Sequence, residues 1–315
     1  MLALRPDERL GPPCLVCSRR ELALPTAADN LRAALLMAFA SVVFTINDAL
    51  VKVLTGEGVP IGLILAVRGV FMVLIFLVLF RGRGDDWRLY QFRDPLVVLR
   101  ACAEAALSWV MFTSLMLLPI ATVTALFFTT PMLATALGAL FLGERVRIWR
   151  WTAVVLGFVG ILIATRPGSA AFDPTLLLPL LAALIAALRD LITRRLAHGI
   201  PTRVVAMSTT VATCLSGFAS VPFLPWPPLE LPLVGILAGS ALISGVALFA
   251  YIGASRLGEI SFLAPIRYLS LPTAGLLGFL IWGDLPDRFA LLGTALIVGS
   301  GVLIFYREQR LARRR

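Results

Sequence analysis

The sequence predicts an all-α integral membrane protein in which ten transmembrane helices form two inverted five-helix repeats around a central cavity. Three observations predict this fold class: the composition, the long apolar segments and an internal repeat. Hydrophobic residues make up 59% of the 315-residue chain, 15% of residues are charged, and the mean hydropathy is +0.92. A water-soluble globule of this size needs far more polar surface than these residues supply.

The long apolar segments are predicted to be helices rather than strands. A helix needs about 20 apolar residues to cross a hydrocarbon core of about 30 Å, and only helices or closed barrels satisfy every backbone polar group in lipid. The apolar segments of this chain are too long for barrel strands. The predicted spans are 33–54, 61–80, 96–118, 121–142, 149–166, 174–193, 203–225, 231–254, 259–282 and 288–306.

The distribution of positive charge predicts the orientation of the chain. Of the 28 basic residues, 22 lie in the tails, in the even-numbered gaps or at the span ends beside them, 3 lie at span ends beside the odd-numbered gaps, and 3 more, Arg68, Arg189 and Arg267, lie within spans. Because basic residues are enriched in cytoplasmic loops, both termini are expected in the cytoplasm, and the expected location is a bacterial inner membrane. The same distribution accounts for the net charge of +10 without nucleic acid as a partner.

The residues before the first span, 1–30, are expected to form a cytoplasmic tail rather than a signal peptide. They lack a continuous apolar core and contain several charges and prolines. Cys14 and Cys17 form a C-x-x-C in this tail, but a zinc site needs further ligands and the only histidine, His198, lies in a distant loop. We therefore expect no metal site and no cofactor. A basic cytoplasmic tail, 307–315, is expected at the other end.

The internal repeat divides the chain into residues 31–167 and 168–306. Each half contains a helix with a proline near its middle, Pro131 or Pro272, that ends on Gly-Glu or Gly-Asp. These prolines are expected to loosen the two helices and to free backbone carbonyls for water or substrate. Because each half contains an odd number of spans, the second half enters the membrane in the opposite orientation. Such halves can exchange conformations and open a central cavity to alternate sides.

Several features of this pattern occur together in a known family. They are the repeated Gly-Glu/Asp turn, Asn47-Asp48 with Lys52 in the first span, Arg68 in the second and Arg267-Tyr268 in the ninth. Together they resemble the EamA family of the drug/metabolite transporter superfamily, over about residues 31–306. The resemblance implies ten helices with cytoplasmic termini and a cavity lined by both repeats. It also implies transport of amino acids, nucleobases and related metabolites, often outward, with vitamin import by some members.

The sequence is therefore expected to encode a secondary active transporter, most plausibly an exporter of amino acids or other carboxylate-bearing metabolites. An importer of a vitamin or nucleobase, such as riboflavin, is the alternative. An enzyme is not expected, because neither G-x-S-x-G nor H-E-x-x-H occurs. No G-x-x-x-x-G-K-[ST] loop occurs either, so the energy must come from an ion gradient, with protons as a candidate, or from the substrate gradient. Besides substrate and lipid bilayer, no partner is expected beyond a weak homodimer; a monomer is equally compatible.

Two arginines, Arg68 and Arg267, lie deep within predicted spans and have no acidic residue three or four positions away. At about 1.5 Å per residue, both lie about 10 Å or more from the end of a span. A charge at that depth needs a carboxylate, backbone carbonyls, water or an anionic substrate group. A guanidinium holds a carboxylate through two parallel hydrogen bonds, so both arginines are candidate substrate-binding residues. An inter-helix pair with Asp48 or Glu104 is the alternative.

The aromatic residues near these arginines are candidate lining residues of the cavity, with ordinary packing as the alternative. They are Trp109, Phe127, Phe128, Tyr251 and Tyr268. Phe127-Phe128 occupies the position in the first repeat that Arg267-Tyr268 occupies in the second. This difference predicts a cavity that is apolar on one wall and cationic on the other.

Three further ionisable residues are candidates for coupling or gating. Asp48 and Lys52 have i, i+4 spacing near the outer end of the first span, so they are expected to pair with each other. The pair could act as a gate latch or contact the substrate. Glu104 lies one turn deeper than Arg100 at the inner end of the third span. It is expected either to be the structural partner of Arg100 or to carry a coupling proton.

Overall fold

Helices make up the regular secondary structure of the described residues, among which no strand occurs. The computed structural model describes residues 27–80, 92–142, 148–167, 173–196, 200–223, 225–228, 230–257, 263 and 265–312. Cys14, Cys17, Glu144, His198, most of the first tail, the last three residues and the start of the ninth predicted span lie outside these ranges. The helices are α1 (Ala27–Gly56), α2 (Ile61–Phe80), α3 (Pro95–Leu117), α4 (Ile120–Phe127), α5 (Thr130–Leu142), α6 (Ile148–Thr165), α7 (Leu177–Arg195), α8 (Thr202–Phe218), α9 (Leu231–Leu257), α10 (Ser270–Trp282) and α11 (Arg288–Ala312).

Six stretches of the described residues are long and apolar enough to cross a membrane. They are Asp29–Gly56, Ile61–Val78, Pro95–Leu117, Ile120–Phe141, Pro174–Thr193 and Leu231–Ser255. The apolar parts of α6, α10 and α11 are shorter. α8 ends at Phe218, before the end predicted for the seventh span, because prolines follow at 222 and 225. The predicted helical membrane fold is confirmed.

Two spans that were predicted as continuous helices are interrupted. The span predicted at 121–142 consists of α4 and α5, and the described part of the ninth span consists of a 3-10 segment, Pro265–Leu269, followed by α10. Pro131 is the second residue of α5 and Pro272 is the third residue of α10. Because proline lacks an N–H and its ring crowds the preceding turn, each helix begins again just before its proline.

Side-chain hydroxyls donate hydrogen bonds to backbone carbonyls at both interruptions. Pro131 cannot donate to the carbonyl of Phe127, and the Thr130 hydroxyl donates to that carbonyl instead, at 2.6 Å. At the second interruption the Ser270 hydroxyl donates to the carbonyl of Arg267 at 3.0 Å. At Pro131 the expectation that the freed carbonyl is left for water or substrate is therefore wrong, because a neighbouring hydroxyl donates to it. At Pro272 the carbonyl that lacks its N–H donor is that of Tyr268, and there the expectation stays a prediction.

Helices from the two halves of the chain pack against each other in pairs: α1 on α9, α2 on α8, α3 on α7, α4 on α10 and α6 on α11. The α4–α10 pair is antiparallel, since Ile120 at the start of α4 lies at Gly278 near the end of α10. In the α6–α11 pair, Gly160 approaches Gly293 so closely that a Cβ on Gly293 would lie 2.6 Å from the carbonyl oxygen of Gly160. Small residues thus let the backbones approach.

The α2–α8 pair is also antiparallel and depends on glycine. Gly69 approaches Cys214, whereas Gly62, about two turns earlier on α2, approaches Gly217 and Ser220 near the end of α8. A Cβ on Gly217 would lie 2.6 Å from the carbonyl oxygen of Gly62. Because the obstructing atoms belong to the backbone, a larger residue at this position must push the helices apart.

We therefore expect Gly217→Val to destabilise the protein by about 1–3 kcal/mol, the usual cost of overpacking. The matched control is Gly235→Val, since a Cβ on Gly235 meets no described atom within 4 Å. Melting temperatures of the purified variants in detergent check the prediction. Equal melting temperatures for the two variants would contradict the close approach of α2 and α8.

Candidate functional site

Arg68 lies on the face of α2 that is directed into the helix bundle. Leu65, one turn earlier, belongs to a buried apolar cluster together with Ala49 of α1 and Phe112 of α3. The guanidinium carbon of Arg68 lies 5.7 Å from the ring centroid of Phe112. The side chain is only half-buried, and within the described ranges it donates no hydrogen bond and has no ion pair within 4.0 Å. A cation with so few partners at this depth is a candidate ligand-binding group.

Asp48 of α1 interacts electrostatically with Arg68, without an ion pair within 4.0 Å among the described residues. It belongs to a polar stripe on one face of α1 that contains Ser41, Thr45, Asp48 and Lys52. The hydroxyls of Ser41 and Thr45 donate to carbonyls one turn back on the same helix, each at 2.9 Å. Asp48 is half-buried, as is Arg68.

Lys52 caps α3 and does not pair with Asp48, contrary to the prediction. Its ammonium donates to the carbonyls of Leu115 at 3.0 Å and Leu118 at 2.6 Å. The last carbonyls of a helix lack intrahelical partners, and Pro119 has no N–H to offer the carbonyl of Leu115. A cation at this helix end also complements the helix dipole. The i, i+4 spacing predicted the wrong partner because the ammonium reaches carbonyls at the end of another helix that lack intrahelical donors.

Hydrogen bonds fix the helices around this site. The Asn47 side-chain oxygen accepts hydrogen bonds from Ser240 at 2.7 Å and Ser244 at 3.0 Å, which joins α1 to α9. The indole N–H of Trp109 donates to the Ser216 hydroxyl at 3.1 Å, which joins α3 to α8. Trp109 therefore borders the same buried cluster as Phe112 while its polar edge is held by α8. The two serines on α9, spaced i, i+4, gave no sequence signal beyond small size.

Arg267 lies in a different part of the bundle from Arg68. It precedes α10, whose 13 residues at about 1.5 Å each place it about 20 Å from the Gly56 end of the bundle, whereas Arg68, seven residues into α2, lies about 10 Å from that end. Its side chain is exposed, and its guanidinium carbon lies 5.6 Å from the ring centroid of Tyr251. The ring of the buried Tyr268 lies 4.7 Å from that of Phe128, and the Tyr268 hydroxyl has no partner in the described part of the chain.

The predicted site residues therefore fall into two groups. The polar group contains Asp48, Arg68 and Trp109, and the aromatic group contains Phe128, Tyr251, Arg267 and Tyr268. Phe127 belongs to neither, because it packs on a small buried cluster formed by α3 and α7. Phe112, which the sequence interpretation missed, borders the polar group; only its i, i+3 spacing from Trp109 could have indicated it.

Glu104 pairs with Arg189 of α7 and not with Arg100, contrary to the prediction. An Arg189 nitrogen lies 3.0 Å from a Glu104 oxygen, and another lies 2.8 Å from an oxygen of Asp190. Arg100 donates instead to the Thr193 hydroxyl at 2.9 Å. These contacts join α3 to α7 at the end of the bundle opposite Gly56, and they favour a structural role for Glu104.

A double-mutant cycle tests that structural role. We expect Arg189→Gln to destabilise the protein by about 1–3 kcal/mol, because Glu104 is left without its charged partner. Adding Glu104→Gln should recover part of this loss, since it removes one of the two carboxylates, Glu104 and Asp190, that lose their charged partner. Thermal unfolding of the two single variants and the double variant gives the coupling energy. Strictly additive losses would contradict the pair.

The connections at the Gly56 end carry two further polar contacts. Arg166 forms an ion pair with Asp287, and its guanidinium carbon lies 4.4 Å from the ring centroid of Phe289. Asp173 caps the 3-10 helix that precedes α7, where it accepts the backbone N–H of Thr175 at 2.9 Å. This hydrogen bond stabilises the carboxylate and lowers the pKa of Asp173. Both contacts lie outside the candidate site.

The chain is similar to proteins of one known family. A family model described as the EamA-like transporter family matches residues 31–166. An S-adenosylmethionine uptake transporter of Rickettsia bellii is 29% identical over 196 residues, which cover 61% of this chain and 66% of the relative, just under two-thirds of its length. A riboflavin transporter of Rhizobium johnstonii is 33% identical, with 69% of this chain and 71% of the relative covered. The pseudopaline exporter CntI of Pseudomonas aeruginosa is 26% identical, with 86% and 95% covered.

A solved crystal structure shares the fold. It aligns with a TM-score of 0.56 and covers 90% of this chain and 97% of the other chain. The sequences are 21% identical, so this likeness concerns the fold alone.

Proposed function

The chain belongs to the EamA-like transporter family of the drug/metabolite transporter superfamily, and we propose that it carries a small carboxylate-bearing metabolite across the membrane by alternating access. The family resemblance predicted from the sequence is confirmed, and membership makes the protein a transporter rather than an enzyme. The substrate class, the site and the mechanism are our proposals. The observation that carries them is the Arg68 guanidinium, which is directed into the bundle and has no hydrogen-bond partner among the described residues.

A carboxylate fits this surrounding better than other small polar groups. A guanidinium presents parallel donors that match the two oxygens of a carboxylate, and such a charge-assisted pair is strong where water is scarce. Phe112 and Trp109 offer an apolar wall for the rest of the molecule.

Alternating access is supported by the way the helices pair. We assign α1–α6 to one repeat, residues 31–167, and α7–α11 to the other, residues 168–306, with α4 and α5 counted as one interrupted span. The α2–α8 and α6–α11 pairs join helices in the same position of each repeat, and the α4–α10 pair joins the interrupted fourth span of one repeat to the corresponding span of the other. Exchanging the repeats converts the α1–α9 pair into the α3–α7 pair, as a two-fold axis in the membrane plane requires. Ten spans, cytoplasmic termini, a bacterial inner membrane and a monomer or weak homodimer complete the proposal.

A second candidate function is import of a flat aromatic compound such as riboflavin. The Phe128–Tyr268 contact and the position of Arg267 over Tyr251 favour it, because stacked rings and a cation suit a planar ligand. The riboflavin transporter of Rhizobium johnstonii is the relative that motivates it. The direction of net flux depends on the coupling ion, and the export expected from the sequence needs proton antiport or an outward substrate gradient.

Flux measurements separate the candidates. The purified protein, reconstituted in liposomes, is offered leucine, phenylalanine, their α-hydroxy acid analogues, the primary amides of all four, and riboflavin. We expect saturable flux of carboxylates, and little flux of the amides, because an amide cannot accept the two charge-assisted hydrogen bonds. Liposomes without protein provide the background. Saturable riboflavin flux with no carboxylate flux would overturn the proposal.

A further inference from the structure

The Asp48 carboxylate is an acidic group with unoccupied hydrogen-bonding capacity next to the proposed substrate site. Its neighbour Ala49 belongs to the same buried cluster as Leu65, one turn before Arg68. Asp48 interacts electrostatically with Arg68, yet within the described residues it accepts no hydrogen bond and has no ion pair within 4.0 Å. Glu104, the acid expected from the sequence to carry a proton, is instead held by Arg189 at 3.0 Å. The two carboxylates thus differ in their partners: Arg189 holds the Glu104 carboxylate, whereas the Asp48 carboxylate can accept a proton without losing an ion pair among the described residues.

Arg68 is the charged group that faces Asp48. Lys52, one turn further along α1, is directed to the α3 carbonyls and lies 5.3 Å from the ring centroid of Trp282. At this depth α3 presents Trp109 and Phe112, and α9 presents the hydroxyls that bond to Asn47. α10 contains no charged residue. The 3-10 segment before it carries Arg267 and Tyr268, about 20 Å from the Gly56 end of α10.

The charge balance of the site follows from these neighbours. Without substrate, ionised Asp48 and Arg68 together have no net charge. A bound carboxylate adds one negative charge, so two carboxylates then share a single guanidinium. Like charges that face each other where water is scarce are costly, and a proton on one carboxylate removes the repulsion.

On this basis, and resting on the proposed function, we propose that Asp48 takes up one proton from water when an anionic carboxylate substrate binds Arg68. Proton and substrate then cross together. The two site states that have no net charge are the empty site and the site loaded with both. A site that holds only the proton or only the anion carries a net charge. The conformational change that moves access from one side of the membrane to the other is therefore unfavourable for it. This neutrality couples the two fluxes.

Zwitterionic substrates are expected to behave differently from anions. An amino acid brings its own ammonium group, which balances ionised Asp48, so its transport requires no proton. Across a bacterial inner membrane, proton symport drives anionic substrates inward. This direction is opposite to the export expected from the sequence.

The test uses liposomes that contain the full-length protein and have a more alkaline interior by one pH unit. We expect the α-hydroxy acids to accumulate about tenfold, since one proton per substrate makes one pH unit equal to a tenfold concentration ratio. Leucine and phenylalanine should equilibrate without accumulating. Accumulation of both classes alike, or of neither while flux continues, would overturn the inference and leave the proposed carrier function intact. Absence of saturable carboxylate flux would overturn both.

The Asp48→Asn variant tests whether Asp48 is the residue that takes up the proton. With substrate bound, the variant site is neutral without a proton, so exchange of labelled for unlabelled α-hydroxy acid should continue. Accumulation driven by the pH gradient should disappear. The matched control is the Glu104→Gln/Arg189→Gln double variant, which should still accumulate the acid about tenfold. Persistent accumulation by Asp48→Asn would refute the role of Asp48, and so would loss of exchange by a variant that melts at the temperature of the parent.

Discussion

Arg68→Met is expected to lower saturable flux of every carboxylate at least about a hundredfold, because two charge-assisted hydrogen bonds at about 1.5–3 kcal/mol each are lost. The loss should fall on substrate affinity and flux together. Arg68→Lys should recover only part of it, since an ammonium keeps the charge but not the parallel donors of a guanidinium. Initial rates in liposomes over a range of substrate concentrations provide the measurement.

The control for this experiment is Arg267→Met, a variant of equal size and charge change in the aromatic group. Its carboxylate flux should stay within a few-fold of the parent, because Arg267 lies away from the Asp48–Arg68 site. If Arg267→Met abolishes the flux and Arg68→Met does not, the site belongs beside Tyr251 and our assignment is wrong. Since Arg68→Met leaves Asp48 uncompensated, the Asp48→Asn/Arg68→Met double variant should be measured as a folding check.

A disulfide across the Gly56 end of the bundle is expected to stop transport completely. A Cβ on Gly278 would lie 3.3 Å from a methyl carbon of Ile120, so cysteines at these positions are within reach of a disulfide. Ile120 begins α4, next to the α3 carbonyls that Lys52 caps, and Gly278 lies in the last turns of α10. Alternating access requires these ends to separate when the cavity opens on this side, and a covalent bond prevents that separation.

The measurement uses the Ile120→Cys/Gly278→Cys variant, with the native cysteines at positions 14, 17, 102 and 214 replaced by alanine. Flux should fall to background after oxidation and return after reduction. Each single-cysteine variant, treated in the same way, should keep its flux. Full flux through a protein that is quantitatively cross-linked would mean that the two helix ends do not move apart during transport.

The positions of the spans could be predicted because a membrane helix needs a long apolar segment, which is visible in the sequence itself. The start of α3 is an example: Asp94 accepts the backbone N–H of Leu96 at 2.9 Å, and Pro95 occupies the first turn. The positions of the interruptions at Pro131 and Pro272 could be predicted, but their hydrogen bonds could not. The sequence alone could not indicate that the Thr130 hydroxyl would take the carbonyl of Phe127.

The partners of the charged residues could not be predicted, because they are properties of helix packing. Local spacing favoured an Asp48–Lys52 pair, whereas the carbonyls at the end of α3 accept the Lys52 ammonium. Local spacing also favoured a partner for Glu104 on its own helix, whereas Arg189 lies 85 residues away in sequence. The depth of Arg68 could be predicted from its distance to the span end. Its nearness to Asp48 and Phe112 needed the fold.

The central claim is that the Asp48–Arg68 site is reached from both sides of the membrane in turn. It is tested most directly with Asp48→Cys in the cysteine-free background, labelled by an anionic thiol reagent that cannot cross membranes. We predict labelling in right-side-out vesicles and, separately, in inside-out vesicles, with a saturating carboxylate substrate slowing both. Labelling from one side only, with and without substrate, would contradict alternating access to this site.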